Sequence, residues 1–138
     1  MVVGLTSGCF DLIHFGHVHY LQRCRALCDR LIVAIDSDKM VREAKGSERP
    51  IVPEQDRLRL VNSLGCVDAA LIIDELPDLD RAVRMFGIDR VFKHGGFVRQ
   101  RPSRLFGVDG TGVELVVVPD VEGLASTTEI IRRIKEMP

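Results

Sequence analysis

The sequence predicts a doubly wound α/β fold, with five parallel strands in one sheet and helices on both of its faces. Three observations predict it. Short apolar runs alternate with helically spaced segments along the whole chain. The run Leu31-Ile32-Val33-Ala34-Ile35 is apolar without interruption, as expected of a strand covered on both faces. No internal repeat or low-complexity segment breaks the alternation. Strand–helix alternation of this kind implies parallel strands joined by right-handed crossovers.

Residues 2–6 read as the first strand, ending in a Ser7-Gly8 turn. Residues 16–28 carry Val18, Leu21, Cys24 and Cys28 at helical spacing along one apolar stripe. Residues 31–35 form the second strand, and Ser37 caps a short helix reaching about Ala44. Residues 45–52 mix Gly, Ser and Pro with charges and read as a mobile loop. Pro53 suits the first position of a helix, where its missing N–H costs nothing, and that helix runs to about Leu64. A third strand (69–73), a helix (77–86), a fourth strand (90–93) and a fifth (113–118) follow. Residues 95–112, rich in Gly and Arg, read as a long loop with one short helical turn. Ser126 and Glu129 form a capping box opening the last helix, whose Ile130, Ile131 and Ile134 share a face. The architecture is Rossmann-like, and such folds bind ligands in loops at the carboxyl ends of their strands.

A chain of 138 residues fits a single domain, residues 1–138. Its 19 basic and 20 acidic side chains lack the basic excess of a bulk nucleic-acid binder. No apolar run approaches the roughly 20 residues of a membrane span. No basic n-region precedes Val2-Val3-Gly4-Leu5, and the four cysteines show no disulfide framework, so a cytoplasmic protein is expected.

The chemistry concentrates between the first strand and first helix, in Gly8-Cys9-Phe10-Asp11-Leu12-Ile13-His14-Phe15-Gly16-His17. His14 and His17 are three apart and share a face at the helix entrance. Free N–H groups and the positive dipole end favour an anion there. Gly16 removes a side chain where a phosphate needs close approach, and the two imidazoles can donate hydrogen bonds to its oxygens. Two histidines in a loop are also ordinary capping or surface residues, and a metal pair is a further alternative without a convincing third ligand. Cys24 and Cys28, at i and i+4, could ligate zinc, but cysteine is a common core residue and the core reading is the stronger. Ser126, Thr127 and Thr128 bring hydroxyls and free backbone N–H groups to the start of the last helix.

The segment from Gly8 to His17 resembles the signature of the HxGH nucleotidyltransferase superfamily, cytidylyltransferase-like branch. Three more segments match in order: Lys45-Gly46-Ser47-Glu48-Arg49-Pro50 with Arg57, then Lys93, then Glu122-Gly123 leading to Ser126-Thr127-Thr128. The likeness spans nearly the whole chain and takes in glycerol-3-phosphate cytidylyltransferases and the adenylyltransferase domains of ADP-heptose synthesis. It implies transfer of a nucleoside monophosphate from CTP or ATP, with Mg²⁺, to a phosphorylated acceptor, releasing pyrophosphate. His14, His17, Lys45 and Lys93 are thereby expected to be catalytic. Gly8, Cys9, Phe10, Asp11, Gly16, Arg49, Arg57, Ser126, Thr127 and Thr128 are expected to hold the nucleotide and its phosphates. Lys45, Arg49 and Arg57 would face the triphosphate, and Asp11 or Asp36 would help hold Mg²⁺ or a ribose hydroxyl.

Departures from the pattern bear on the acceptor. Cys9 stands where Thr is frequent, and His94-Gly95-Gly96-Phe97 lacks the acidic residue that commonly follows Gly. An arginine usual before the Ser-Thr-Thr motif is absent; Arg99, Arg101 or Arg104 can substitute for it or form a basic surface loop. With His94 and Gly95 they are the candidate acceptor residues. These departures favour CMP transfer from CTP to a small phosphonate or phosphate such as 2-hydroxyethylphosphonate, as in cytidylyltransferase domains of bifunctional fosfomycin-pathway enzymes. AMP transfer to a heptose phosphate, CMP transfer to glycerol 3-phosphate and a nucleotide-sensing module are the alternatives. The resemblance also implies a homodimer and fusion to a second catalytic domain, the chain being a piece of a longer bifunctional protein.

Overall fold

A computed structural model describes residues 1–96 and 103–138. Its strands are β1 (Val3–Gly8), β2 (Arg30–Asp36), β3 (Ala69–Ile73), β4 (Arg90–His94) and β5 (Glu114–Val118). Its helices, among the described residues, are α1 (Phe15–Ala26), α2 (Asp38–Lys45), α3 (Glu54–Asn62), α4 (Asp78–Phe86) and α5 (Thr127–Lys135). The strands pair in parallel in the order β3-β2-β1-β4-β5, the doubly wound sheet that the alternation predicts.

Side-chain alternation along β2 builds both cores. Leu31, Val33 and Ile35 join Leu21 and Cys24 of α1 and Val61 of α3 on one face. Ile32 and Ala34 join Leu79, Ala82 and Val83 of α4 on the other. At roughly 1.5–3 kcal/mol for each large apolar side chain buried, these two layers carry the fold. The order of winding reverses between β1 and β4, where Gly4 pairs with Arg90 and Leu5 with Val91, and such a switch point leaves a crevice at the carboxyl ends of the strands.

Several boundaries differ from expectation for identifiable reasons. β1 continues through the expected Ser7-Gly8 turn, because parallel pairing carries on to Gly8 opposite Ile35. Pro53 and Pro77 stand one residue before the first helical residue rather than at it. α1 ends at Ala26 and α3 at Asn62, each shorter than the apolar pattern suggests. The capping box of α5 is half formed: Ser126 Oγ accepts from Glu129 N at 3.1 Å, but the Glu129 carboxylate turns to Arg132. The isoleucine stripe of α5 buries nothing completely, and Ile134 is 56% exposed. Cys24 is a core residue, and the Cys28 thiol donates to its carbonyl oxygen.

Candidate active site

The site begins with strained backbone. Phe10 and Leu12 hold φ of 53° and 49°, a left-handed conformation that side-chain-bearing residues avoid. The Phe10 side chain turns inward, buried, with its ring centroid 5.5 Å from that of His17. His14 then caps α1, accepting from Gly16 N through Nδ1 at 3.0 Å. Reciprocally, His14 N donates to His17 Nδ1 at 3.3 Å. Thr127 Oγ1 donates to the Asp11 carbonyl oxygen at 2.8 Å, so it has no proton left for His14 Nε2, 3.3 Å away. This network assigns both imidazoles as neutral, each with its proton on Nε2. Burial lowers the His14 pKa and, with His14 and Lys45 nearby, brings that of His17 down to about 4.

These groups line a cavity of about 710 Å³ over the carboxyl ends of β1, β2, β4 and β5. Gly8, Cys9, Phe10, Asp11, Gly16, Lys45 and Arg49 line it with the histidines, as do Ser126, Thr127 and Thr128. The N-termini of α1 and α5 thus face one space, which concentrates N–H donors and positive potential there. Arg49 adds a guanidinium whose buried Nε has no hydrogen-bond partner among the described residues. A buried donor left unpaired carries a desolvation cost that an incoming anion removes.

Lys93 forms the floor, its Nζ donating to Ser7 Oγ at 3.0 Å. Burial lowers its pKa, an effect that Asp36 opposes. Burial raises the Asp36 pKa, against the thiol of Cys9 (3.5 Å) and the pull of Lys93. His94 also lines the cavity, with Nδ1 3.6 Å from Asp120 and its ring edge-on to Tyr20. Arg104 lies over the Phe106 ring at 4.5 Å and pairs with Asp80 at 2.6 Å.

Two expectations need correction. Arg57 is fully buried and does not line the cavity; it faces no triphosphate. Its guanidinium donates to the carbonyls of Val52, Cys9 and Asp36 and pairs with Asp38, bracing loops from beneath. Asp11 is 1% exposed, and its two carboxylate oxygens accept from Ile51 N (2.8 Å) and Val52 N (2.9 Å). It is therefore a clamp rather than a free ligand, and it pins the end of the segment 45–52 that reads as mobile. Gly16 also makes room for protein: a Cβ there would stand 2.5 Å from the Ala125 carbonyl oxygen and 2.8 Å from the His14 ring. Gly95 does not line the cavity, and Arg99 and Arg101 lie outside the described residues.

Other lining residues escaped the sequence reading. Ser7 supports Lys93, and Tyr20 bonds Thr6 at 2.8 Å beneath the wall. Tyr20 falls three residues after His17, a helical spacing that could have flagged it. Leu76, Leu79, Leu105 and Phe106 make an apolar wall that only the tertiary fold assembles.

A model of the family described as "Cytidylyltransferase-like" matches residues 5–133. The chain belongs to that family. It is accordingly a nucleotidyltransferase, with the fold and histidine loop described above. The bifunctional protein HldE of Koribacter versatilis is 41% identical over 129 residues, 94% of this chain. The HldE of Hyphomonas neptunium is 40% identical over 131 residues, 95% of this chain. In both cases the match spans only 26% of the relative, so the chain has about a quarter of its length. The lipopolysaccharide core biosynthesis protein of Thermoplasma volcanium superposes with a TM-score of 0.66 at 25% identity, covering 88% of this chain and 97% of that one. Thermotoga maritima TmcAL, solved with alpha-thio ATP, shares the fold at a TM-score of 0.67 and 13% identity, covering 98% of this chain and 50% of that one. No described helix is long and apolar enough to cross a membrane.

Proposed function

We propose that the chain transfers AMP from ATP to a heptose phosphate, releasing pyrophosphate. The observation that carries the transfer is the pair of neutral imidazoles, each with its proton on Nε2, that line one cavity with two helix N-termini. The adenylyl and heptose assignments are supported by the HldE relatives, the lipopolysaccharide-core relative and the likeness of Lys93 and residues 45–50 to ADP-heptose synthesis domains. These comparisons reverse the order in which the sequence ranks its readings.

An acceptor phosphate oxygen attacks the α-phosphorus in line, a new P–O bond forms, and the bond to the bridging α–β oxygen breaks with its electron pair leaving on pyrophosphate. The attacking oxygen is already ionised near neutral pH, so no general base is required. His14 and His17 donate from Nε2 to the equatorial oxygens as charge builds there. Lys45 and Arg49 neutralise the departing pyrophosphate, and the N-termini of α1 and α5 hold the remaining oxygens. Lys93 lies on the floor, poised toward the α-phosphate or the acceptor.

Mg²⁺ fits the donor set. No group of three or more described His, Cys, Asp or Glu side chains is arranged to hold a metal alone. Asp36 supplies a floor carboxylate bonded only by the Cys9 thiol among the described residues, and Mg²⁺ commonly takes one or two carboxylates with phosphates and water. When bound, Mg²⁺ would supply charge neutralisation at the triphosphate.

CMP transfer to a phosphonate is the second reading. It is favoured by the apolar side chains of Leu76, Leu79, Leu105 and Phe106 in the cavity lining, beside which Arg104 offers a cation to a phosphonate. The deciding experiment is pyrophosphate release with ATP or CTP against heptose 1-phosphate, glycerol 3-phosphate and 2-hydroxyethylphosphonate. ATP with the heptose phosphate is the expected pair. Release with CTP and the phosphonate alone would reverse the assignment.

A further inference from the structure

Asp11 sits where three segments of the site meet. Its carboxylate accepts from Ile51 N and Val52 N, just past the chain that carries Lys45 and Arg49. Its carbonyl accepts from Thr127 Oγ1 at the start of α5. The same Thr127 oxygen lies 3.3 Å from His14 Nε2, and it can only accept there because its one proton is committed. The residues on either side, Phe10 and Leu12, hold the left-handed backbone that lets side chain and carbonyl face different segments. Such backbone persists only where surrounding contacts over-determine it.

We infer that Asp11 is a positioning residue. Its carboxylate sets the approach of Lys45 and Arg49 to an anion held by His14 and His17, and its carbonyl, by taking the Thr127 proton, leaves Oγ1 as an acceptor that orients the His14 Nε2–H. The inference rests on the nucleotidyl-transfer reading for its purpose, but its geometry is testable without turnover.

Two isosteric variants separate the two arms. Asp11→Asn replaces one carboxylate acceptor by an NH₂ that cannot accept, yet keeps the carbonyl for Thr127. Thr127→Val removes the hydroxyl and leaves the clamp on residues 51 and 52. Each is compared with the parent by amide hydrogen exchange, by ¹⁵N NMR of the histidine rings and by titration with inorganic pyrophosphate. Hydrogen bonds to charged acceptors are worth roughly 1.5–3 kcal/mol, or about 10- to 100-fold. Asp11→Asn is therefore expected to speed exchange at least about tenfold at whichever of Ile51 and Val52 loses its acceptor, to weaken pyrophosphate about tenfold, and to leave the His14 ¹⁵N pattern unchanged. Thr127→Val is expected to shift the His14 Nε2 ¹⁵N resonance, whose N–H loses its acceptor, while Nδ1 stays unprotonated because Gly16 N still donates to it, with exchange at residues 51 and 52 unchanged.

Parent-like pyrophosphate affinity in Asp11→Asn, despite faster exchange, would make the clamp merely structural and overturn the inference. A parent-like His14 pattern in Thr127→Val would overturn it as well. Should Asp11→Asn not fold, Thr127→Val decides. A parent that binds pyrophosphate with these responses but transfers no nucleotide would refute the proposed function and leave the positioning role standing.

Discussion

The imidazoles of His14 and His17 lie stacked, with ring centroids 3.8 Å apart, and each gives its Nδ1 to a main-chain N–H of the same helix entrance. The helix is capped by the very side chains that face the cavity. Both rings are thereby held uncharged with the proton on Nε2; that of His14 rests on Thr127 Oγ1 at 3.3 Å, a long contact it can share with a phosphate oxygen as charge grows.

Removing one such donor should damage the transition state more than the fold. His17→Ala is expected to lower turnover by about 10²-fold or more, with far-UV circular dichroism unchanged. Steady-state kinetics with saturating nucleotide checks this; a rate within a few-fold of the parent would remove His17 from the chemistry.

The lowered His17 pKa makes a prediction about stability. An unfolded histidine takes its proton near pH 6.5, whereas His17 in the fold resists until about pH 4. Between those values the unfolded chain binds the extra proton, so the His17 contribution is complete above pH 6.5 and is lost as pH falls toward 4. Urea midpoints of the parent and His17→Asn should therefore converge across that window on acidification. A constant difference would show that the histidine titrates normally in the fold.

Gly16→Ala tests the contact between the entrance of α1 and the chain before α5. The added methyl meets the Ala125 carbonyl oxygen at 2.5 Å, and backbone cannot swing aside as a side chain can. Overpacking of this kind costs roughly 1–3 kcal/mol. Thermal unfolding should register that loss, and nucleotide affinity should fall because the two helix N-termini are pushed apart.

The histidine loop and the five-strand sheet were legible because their signals are local: a three-residue spacing, a glycine, and apolar runs of strand length. Arg57 was misread for the opposite reason. Its four partners come from Cys9, Asp36, Asp38 and Val52, and nothing in the local pattern around residue 57 announces that those segments converge. Asp11 was misread in the same way, since its acceptors are met by amides 40 and 41 residues away. The apolar wall of Leu76, Leu79, Leu105 and Phe106 depends on the doubly wound topology itself, which sets α4 and the 103–112 segment beside the switch point. The α5 stripe shows the reverse limit: helical periodicity revealed the helix but not how little of it the sheet covers.

The corrected role of Arg57 has its own consequence. Arg57→Met removes a buried guanidinium and strands three carbonyls and a carboxylate, so stability should drop by about 3–5 kcal/mol in urea unfolding. A variant as stable as the parent but with a raised KM for nucleotide would restore Arg57 as a phosphate ligand.

The central claim is attack at the α-phosphorus of a nucleoside triphosphate, and the position of a radiolabel reports it directly. With the heptose phosphate as acceptor, ³²P from α-labelled ATP should appear in the sugar product, and ³²P from γ-labelled ATP in pyrophosphate. Transfer of the γ-label to the sugar, with ADP released, would contradict the account.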